Sequence, residues 1–162
     1  GFTLLEVVQA LRAYGAATLD QVPNTYGTGM EDIAGPGEAL VTEARQRSRI
    51  STDVIPGRDR KVRINNLVHA LNARKPVVIG LAWPHNASLT QAPILSGQTP
   101  RENAYHAVTL VGYRQKGTGL EGLLFIFRNS WGNEWGVGGY GYVTYDYLVK
   151  LLYSAVVLDV GR

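Results

Sequence analysis

Residues 105–147, YHAVTLVGYRQKGTGLEGLLFIFRNSWGNEWGVGGYGYVTYDY, decide the fold of this chain. Two apolar runs stand in the stretch, 107–113 and 123–127, both rich in the β-branched and aromatic residues that suit a pleated surface. Residues 114–122 between them carry three glycines and Lys116, the composition of a surface turn, so an antiparallel pair is the natural connection. That geometry places His106 at the mouth of the first strand and Asn129 at the exit of the second. Both side chains then come to the same end of the sheet.

A His before an apolar run is ordinarily a structural residue, and an Asn beside glycine is ordinarily a turn residue. Both readings recede because HAVTLVGY is followed by FRNSWGNEWGVGGYGYV, in which Asn129 opens the string NSWGxxWGxxGYG. The pair of motifs resembles the second half of a papain-like (C1-type) cysteine peptidase. The resemblance implies that His106 is the base that activates a cysteine, that Asn129 orients it and that Trp131 shields their hydrogen bond. Ser130 and Trp135 support the group. The resemblance covers nearly the whole chain, most specifically residues 75–145.

These residue types suit that chemistry. An imidazole can take a thiol proton and later return it to a leaving amine, provided one ring nitrogen faces the sulfur. An amide oxygen behind the ring accepts the other N–H without adding a charge, and an indole over the pair excludes competing water.

The nucleophile is missing: the chain has no cysteine. It therefore carries neither a disulfide framework nor a thiol, and its residues fix no compartment. The spacing of the resembled family puts the Cys roughly 20 to 45 residues before Gly1. With no initiator Met and no signal peptide, Gly1-Phe2-Thr3 reads as a processed or trimmed terminus. The glutamine of the family's oxyanion hole also precedes the Cys and is absent. A length of 162 residues with 45% hydrophobic content suffices for one domain with a real core, and no apolar run approaches a membrane span.

Along the chain, Thr3-Leu-Leu-Glu6 is a capping box opening a helix with an apolar stripe at Leu4, Val7, Val8, Leu11 and Tyr14, stopped at Gly15. By resemblance, Gly1 and Phe2 end a substrate-pairing strand, Gly1 docking substrate backbone and Phe2 walling the pocket for the second residue before the scissile bond. Residues 16–38 read as irregular connection and 38–47 as a short helix. Residues 45–75 hold nine of the sixteen basic residues. Nucleic acid is nonetheless excluded as a partner, because the charges are spread, no aromatic is interleaved for stacking and the net charge is only +3.

Ile64, Leu67, Val68 and Leu71 mark a second amphipathic helix, with His69 at its surface. Residues 77–83 form an apolar run of strand length, buried on both faces. Gly80 lies where the resembled family lines its substrate pocket. With Gly80 and Ala107 both small, and Tyr105 beside them, that pocket is expected to take a bulky apolar side chain, while Trp83 borders the leaving-group side. Residues 84–104 read as a polar loop. Within it His85 is a turn residue, and Asn86-Ala-Ser88 fits a glycosylation sequon. No metal or other cofactor is implied. A short amphipathic segment at 147–153 and an apolar strand at 155–160 close the chain.

The fold class is α+β and papain-like: residues 1–75 are the remainder of a helical lobe, and 76–162 a largely complete antiparallel, barrel-like β lobe. The expected function is peptide-bond hydrolysis, this chain supplying base, orienter and substrate walls in a processed two-chain enzyme. A Cys-bearing N-terminal polypeptide from the same precursor is the expected partner, burying well over ~2,000 Å² against helix 3–14 and strands 77–83 and 107–113. Peptide or protein is the substrate, and neither membrane nor nucleic acid takes part. The resemblance favours a secreted, periplasmic or lysosome-like compartment over the cytoplasm. The competing readings are a catalytically inactive binding or scaffolding module, and a transferase or amidase on the same scaffold.

Overall fold

The structure, a computed structural model, describes residues 3–18, 20–22, 37–47, 50–57, 59–84 and 93–160. Gly1, Phe2, His85 and the sequon at 86–88 lie outside the described residues, as does most of 16–38. The chain forms two compact units, Gly1–Ser51 with Val160–Arg162, and Thr52–Asp159. The helix at 60–72, grouped in the sequence reading with residues 1–75, belongs to the second unit because Ile64 and Leu67 are fully buried in its core.

In the first unit, α1 (Leu4–Tyr14) starts where the sequence places it. The Thr3 hydroxyl accepts the Glu6 N–H while the Glu6 carboxylate accepts the Thr3 N–H, closing the capping box. Hydrogen bonds donated by the Thr3 N–H and the Thr3 hydroxyl to that carboxylate hold it below the usual carboxylate range. Of the expected stripe, Val8 is buried, Leu4 and Leu11 are half-buried, and Val7 and Tyr14 are exposed. The helix stops at Gly15, whose φ of 74° is costly for any other residue, and a Cβ there would collide with the Ala44 carbonyl. Ala44 lies in α2 (Glu38–Gln46), so the stop signal is also a helix-to-helix contact.

Among the described residues a seven-stranded sheet forms, nearly all of it in the second unit: β1 (Ile50–Val54), β2 (Val77–Pro84), β3 (Ile94–Leu95), β4 (Pro100–Gln115), β5 (Leu123–Arg128), β6 (Tyr140–Thr144) and β7 (Leu152–Val160), in the spatial order β1-β7-β2-β4-β5-β6-β3. The sheet stays open, with β1 and β3 at its edges, rather than closing like a barrel. The pair β3–β6 is parallel. Leu95 of β3 is fully buried, and the Pro93 carbonyl accepts the Tyr142 N–H, so part of the expected polar loop is an edge strand.

The two apolar runs of the opening stretch pair antiparallel, as their turn composition requires, joined through a 3-10 turn at Leu120–Gly122. The first strand is longer than its apolar run, starting at Pro100. It bulges at Val111, which turns outward while Val108 and Leu110 face the core. β2 alternates at its start, with Val77, Ile79 and Leu81 buried and Val78 and Gly80 half-buried, so only its far end is covered on both faces.

Helices α3 (Arg60–Asn72) and α4 (Tyr145–Leu151) share this core through Ile64, Leu67, Tyr147 and Leu148. Burying each such side chain is worth about 1.5–3 kcal/mol. Two arginines of the basic segment are spent on main-chain carbonyls: Arg60 donates to Val149 and Lys150 at the end of α4, and Arg63 to Gly57 and Tyr153. Tyr147 donates to the Ala82 carbonyl at 2.9 Å. Burial pushes its phenol up to about 12. Among the described residues no helix is long and apolar enough to cross a membrane.

Candidate active site

The hairpin register brings His106 and Asn129 together. Thr109 pairs with Arg128, so one further step sets Asn129 across from Val108, and His106 stands two residues along on the same side of β4. Diagonal neighbours of this kind lie within reach of long side chains. His106 Nε2 and Asn129 Oδ1 are 2.7 Å apart.

The proton on that contact can be assigned from a third group. The Ser130 N–H, which can only donate, points at Asn129 Oδ1 at 2.8 Å. The atom it meets must therefore be the amide oxygen, and the same oxygen can accept from His106 only if Nε2 carries hydrogen. Nδ1 is left with its lone pair, the nitrogen a thiol would need. Asn129 itself is 3% exposed, and its main-chain N–H donates to the Gly139 carbonyl at 2.9 Å.

Trp131 packs against His106, its ring centroid 4.8 Å from that of the imidazole with the planes tilted by 34°. Its outer side is open, the residue being 50% exposed. Beneath it stands buried Trp135, 5.7 Å away and perpendicular. Trp83, read from sequence as a border of the leaving-group side, is buried against the same cluster, 4.6 Å from His106. Its nearness was legible in principle: Leu81 is the register partner of His106, and the pleat returns Trp83 to the same face two residues later.

A further residue escaped the sequence reading. Arg128 points away from the core, where its guanidinium donates to the Gly138 carbonyl and, at 2.6 Å, to Asn133 Oδ1. It also lies 4.9 Å from the centre of the Tyr140 ring. It thus clamps the glycine-rich loop that returns from Trp131 to β6. The available signal was position, since an arginine directly before Asn129 alternates to the open face, where the Gly138 carbonyl lies within its reach.

Gly80 and Ala107 are register partners, next to Ser154 of β7. They alternate to the face opposite the one shared by His106, Val108 and Leu110. Ala107 is exposed, but the space above Gly80 is not empty: a Cβ there would lie 2.6 Å from Ser154 Oγ. Tyr105 packs edge-on against Tyr153 at 4.8 Å, and hydrogen bonding to Tyr153 raises its phenol above the ordinary value. Ser130 is exposed and contributes its main chain. Among the described residues no group of three His, Cys, Asp or Glu is gathered for a metal ion.

A family model described as papain family cysteine protease matches residues 31–151. The chain belongs to that family. Within the papain family it is similar to fruit bromelain of Ananas comosus, 51% identical over 35 residues, which are 22% of this chain and 9% of that protein. A cysteine protease of Blomia tropicalis is 37% identical over 81 residues, 48% of this chain and 23% of that protein. Among solved structures, xylellain, a cysteine protease from Xylella fastidiosa, superposes with a TM-score of 0.74 at 21% identity, over 100% of this chain and 63% of its own. Digestive procathepsin L 3 of Tenebrio molitor larval midgut gives 0.69 at 18% identity, over 98% and 49%. The structural likeness carries the papain-like α+β fold. The chain spans less than a quarter of the curated relatives it matches.

Proposed function

We propose that this chain supplies the base, the orienting amide and part of the substrate surface of a cysteine peptidase whose thiol comes from a Cys-bearing polypeptide N-terminal to it, in a processed two-chain enzyme. The observation that carries the reading is the Asn129 oxygen shared between the Ser130 N–H and His106 Nε2. In this scheme His106 Nδ1 takes the thiol proton and the thiolate attacks the peptide carbonyl. The imidazolium then protonates the leaving amine as the C–N bond breaks, and a water deprotonated by the same ring hydrolyses the thioester. Trp131 keeps bulk water from competing for the Asn129 oxygen. Gly80, Ala107 and Tyr105 serve as substrate walls.

The test is intact mass spectrometry of the purified protein after treatment with a thiol-directed epoxide, together with hydrolysis of a fluorogenic peptide. The label is expected on a separate polypeptide and none on this chain, with hydrolysis lost in step. A protein that takes up no label and cleaves no peptide overturns the reading in favour of an inactive binding module.

A further inference from the structure

We propose that Trp83 is a positioning residue for His106, setting the plane of the imidazole from the core side; the inference rests on the reading of His106 as the base. The Asn129 hydrogen bond does not hold that plane by itself. Rotation about the His106 Cβ–Cγ bond sweeps Nδ1 through a wider arc than Nε2, which lies closer to the rotation axis. A ring tethered only at Nε2 can therefore turn its basic nitrogen away from a nucleophile, and because Nε2 also moves off its station as the swing widens, the bond to Asn129 loosens and its hold on the tautomer goes with it.

Two indoles restrict the turn. Trp131 lies against His106 with planes 34° apart, and Trp83 meets it near-perpendicular, at 73° and 4.6 Å between centroids. The two indoles also touch each other, at 5.4 Å and 74°. They differ in what holds them. Trp131 is 50% exposed, whereas Trp83 is 8% exposed and braced by Phe127 at 6.1 Å and Trp135 at 6.4 Å. Edge-to-face contacts favour defined ring orientations. A buried indole locked by its own neighbours is the firmer of the two references, so the sheet core sets the attitude of the base through Trp83. A site held by such supporting packing loses rate when the support loosens by as little as an ångström.

The test compares Trp83→Leu, Trp83→Phe and, as a core control away from the cluster, Leu148→Ala, each in the complete protein with its thiol segment. The readouts are kcat and KM on a peptide and the nitrogen NMR shifts that report the His106 tautomer. Trp83→Leu is expected to lower kcat by roughly 10- to 100-fold with KM unchanged, and to mix the tautomers. Trp83→Phe is expected to fall between. Leu148→Ala is expected to lose stability yet keep both kcat and the His106 spectrum. An unchanged spectrum in Trp83→Leu, with kcat falling only as stability falls, overturns the proposal and leaves Trp83 as core packing. Where Trp83→Leu does not fold, Trp83→Phe decides: an intermediate tautomer mixture supports the proposal and an unaltered spectrum overturns it. A protein without peptidase activity refutes the base role of His106, while the NMR comparison still judges the contact.

Discussion

The oxygen of Asn129 accepts from His106 Nε2 at 2.7 Å, and it is held the right way round by the Ser130 N–H. The roles of the two residues should separate in turnover. In the proposed scheme His106→Ala removes the proton acceptor, and it is expected to cost at least about 10²–10⁴ in kcat. Asn129→Ala leaves the imidazole but frees its orientation, so a smaller loss in kcat is expected. Steady-state kinetics on the complete protein check this, and equal, mild effects would count against the assignment.

Specificity should follow Gly80 and Ala107. A peptide library is expected to favour Leu, Phe or Tyr over Gly or Asp two positions before the cut, with Gly80→Phe reversing the preference for the bulkiest. Because a Cβ at position 80 would come within 2.6 Å of Ser154 Oγ, even a single methyl is felt there. Gly80→Ala should already perturb the profile, and Gly80→Ala with Ser154→Ala should restore much of it. A flat profile would show that the pocket lies elsewhere.

Arg128 offers a second handle on the site. Arg128→Ala removes two charged donors from the loop and is expected to destabilise by about 1–2 kcal/mol, given its partial exposure. It should also increase solvent quenching of Trp131 fluorescence. Arg128→Lys cannot reproduce the fork that reaches Gly138 and Asn133 together, so it should recover only part of the loss. Denaturant titration with fluorescence detection reads both quantities.

Tyr147 predicts an alkaline limit. Its phenol ionises near 10.0 when exposed and at about 12 in the fold, where burial disfavours the charged form. The stability it contributes is complete below pH 10 and is lost as pH rises from there through about 12. Unfolding free energies measured across this interval should fall, and Tyr147→Phe should flatten the decline while giving up the hydrogen bond to Ala82.

The hairpin and its two polar ends were legible because they depend on local pattern: two β-rich runs, a glycine turn, and side chains at fixed offsets. The capping box and the stop at Gly15 were legible for the same reason. β3 was not, since two residues give no periodicity, and Leu95 is buried where β3 pairs with β6, beside Val143. The early start of β4 was hidden by the polar residues of 100–104, whose strand conformation comes from pairing across to Pro84. The bulge at Val111 and the duties of Arg60, Arg63 and Arg128 depend on carbonyls distant in sequence or on loop geometry. No window of residues displays those.

The strand bearing His106 has three strands on either side of it. Amide hydrogens at the centre of such a sheet exchange with solvent only when large parts of it open together, whereas those at its rims exchange through small local fluctuations. In deuterium the rim strands β1 and β3 should therefore label first and residues 107–110 among the last. On gentle heating, the imidazole would keep its station until the sheet itself melts, so inactivation and global unfolding of the sheet would share one midpoint.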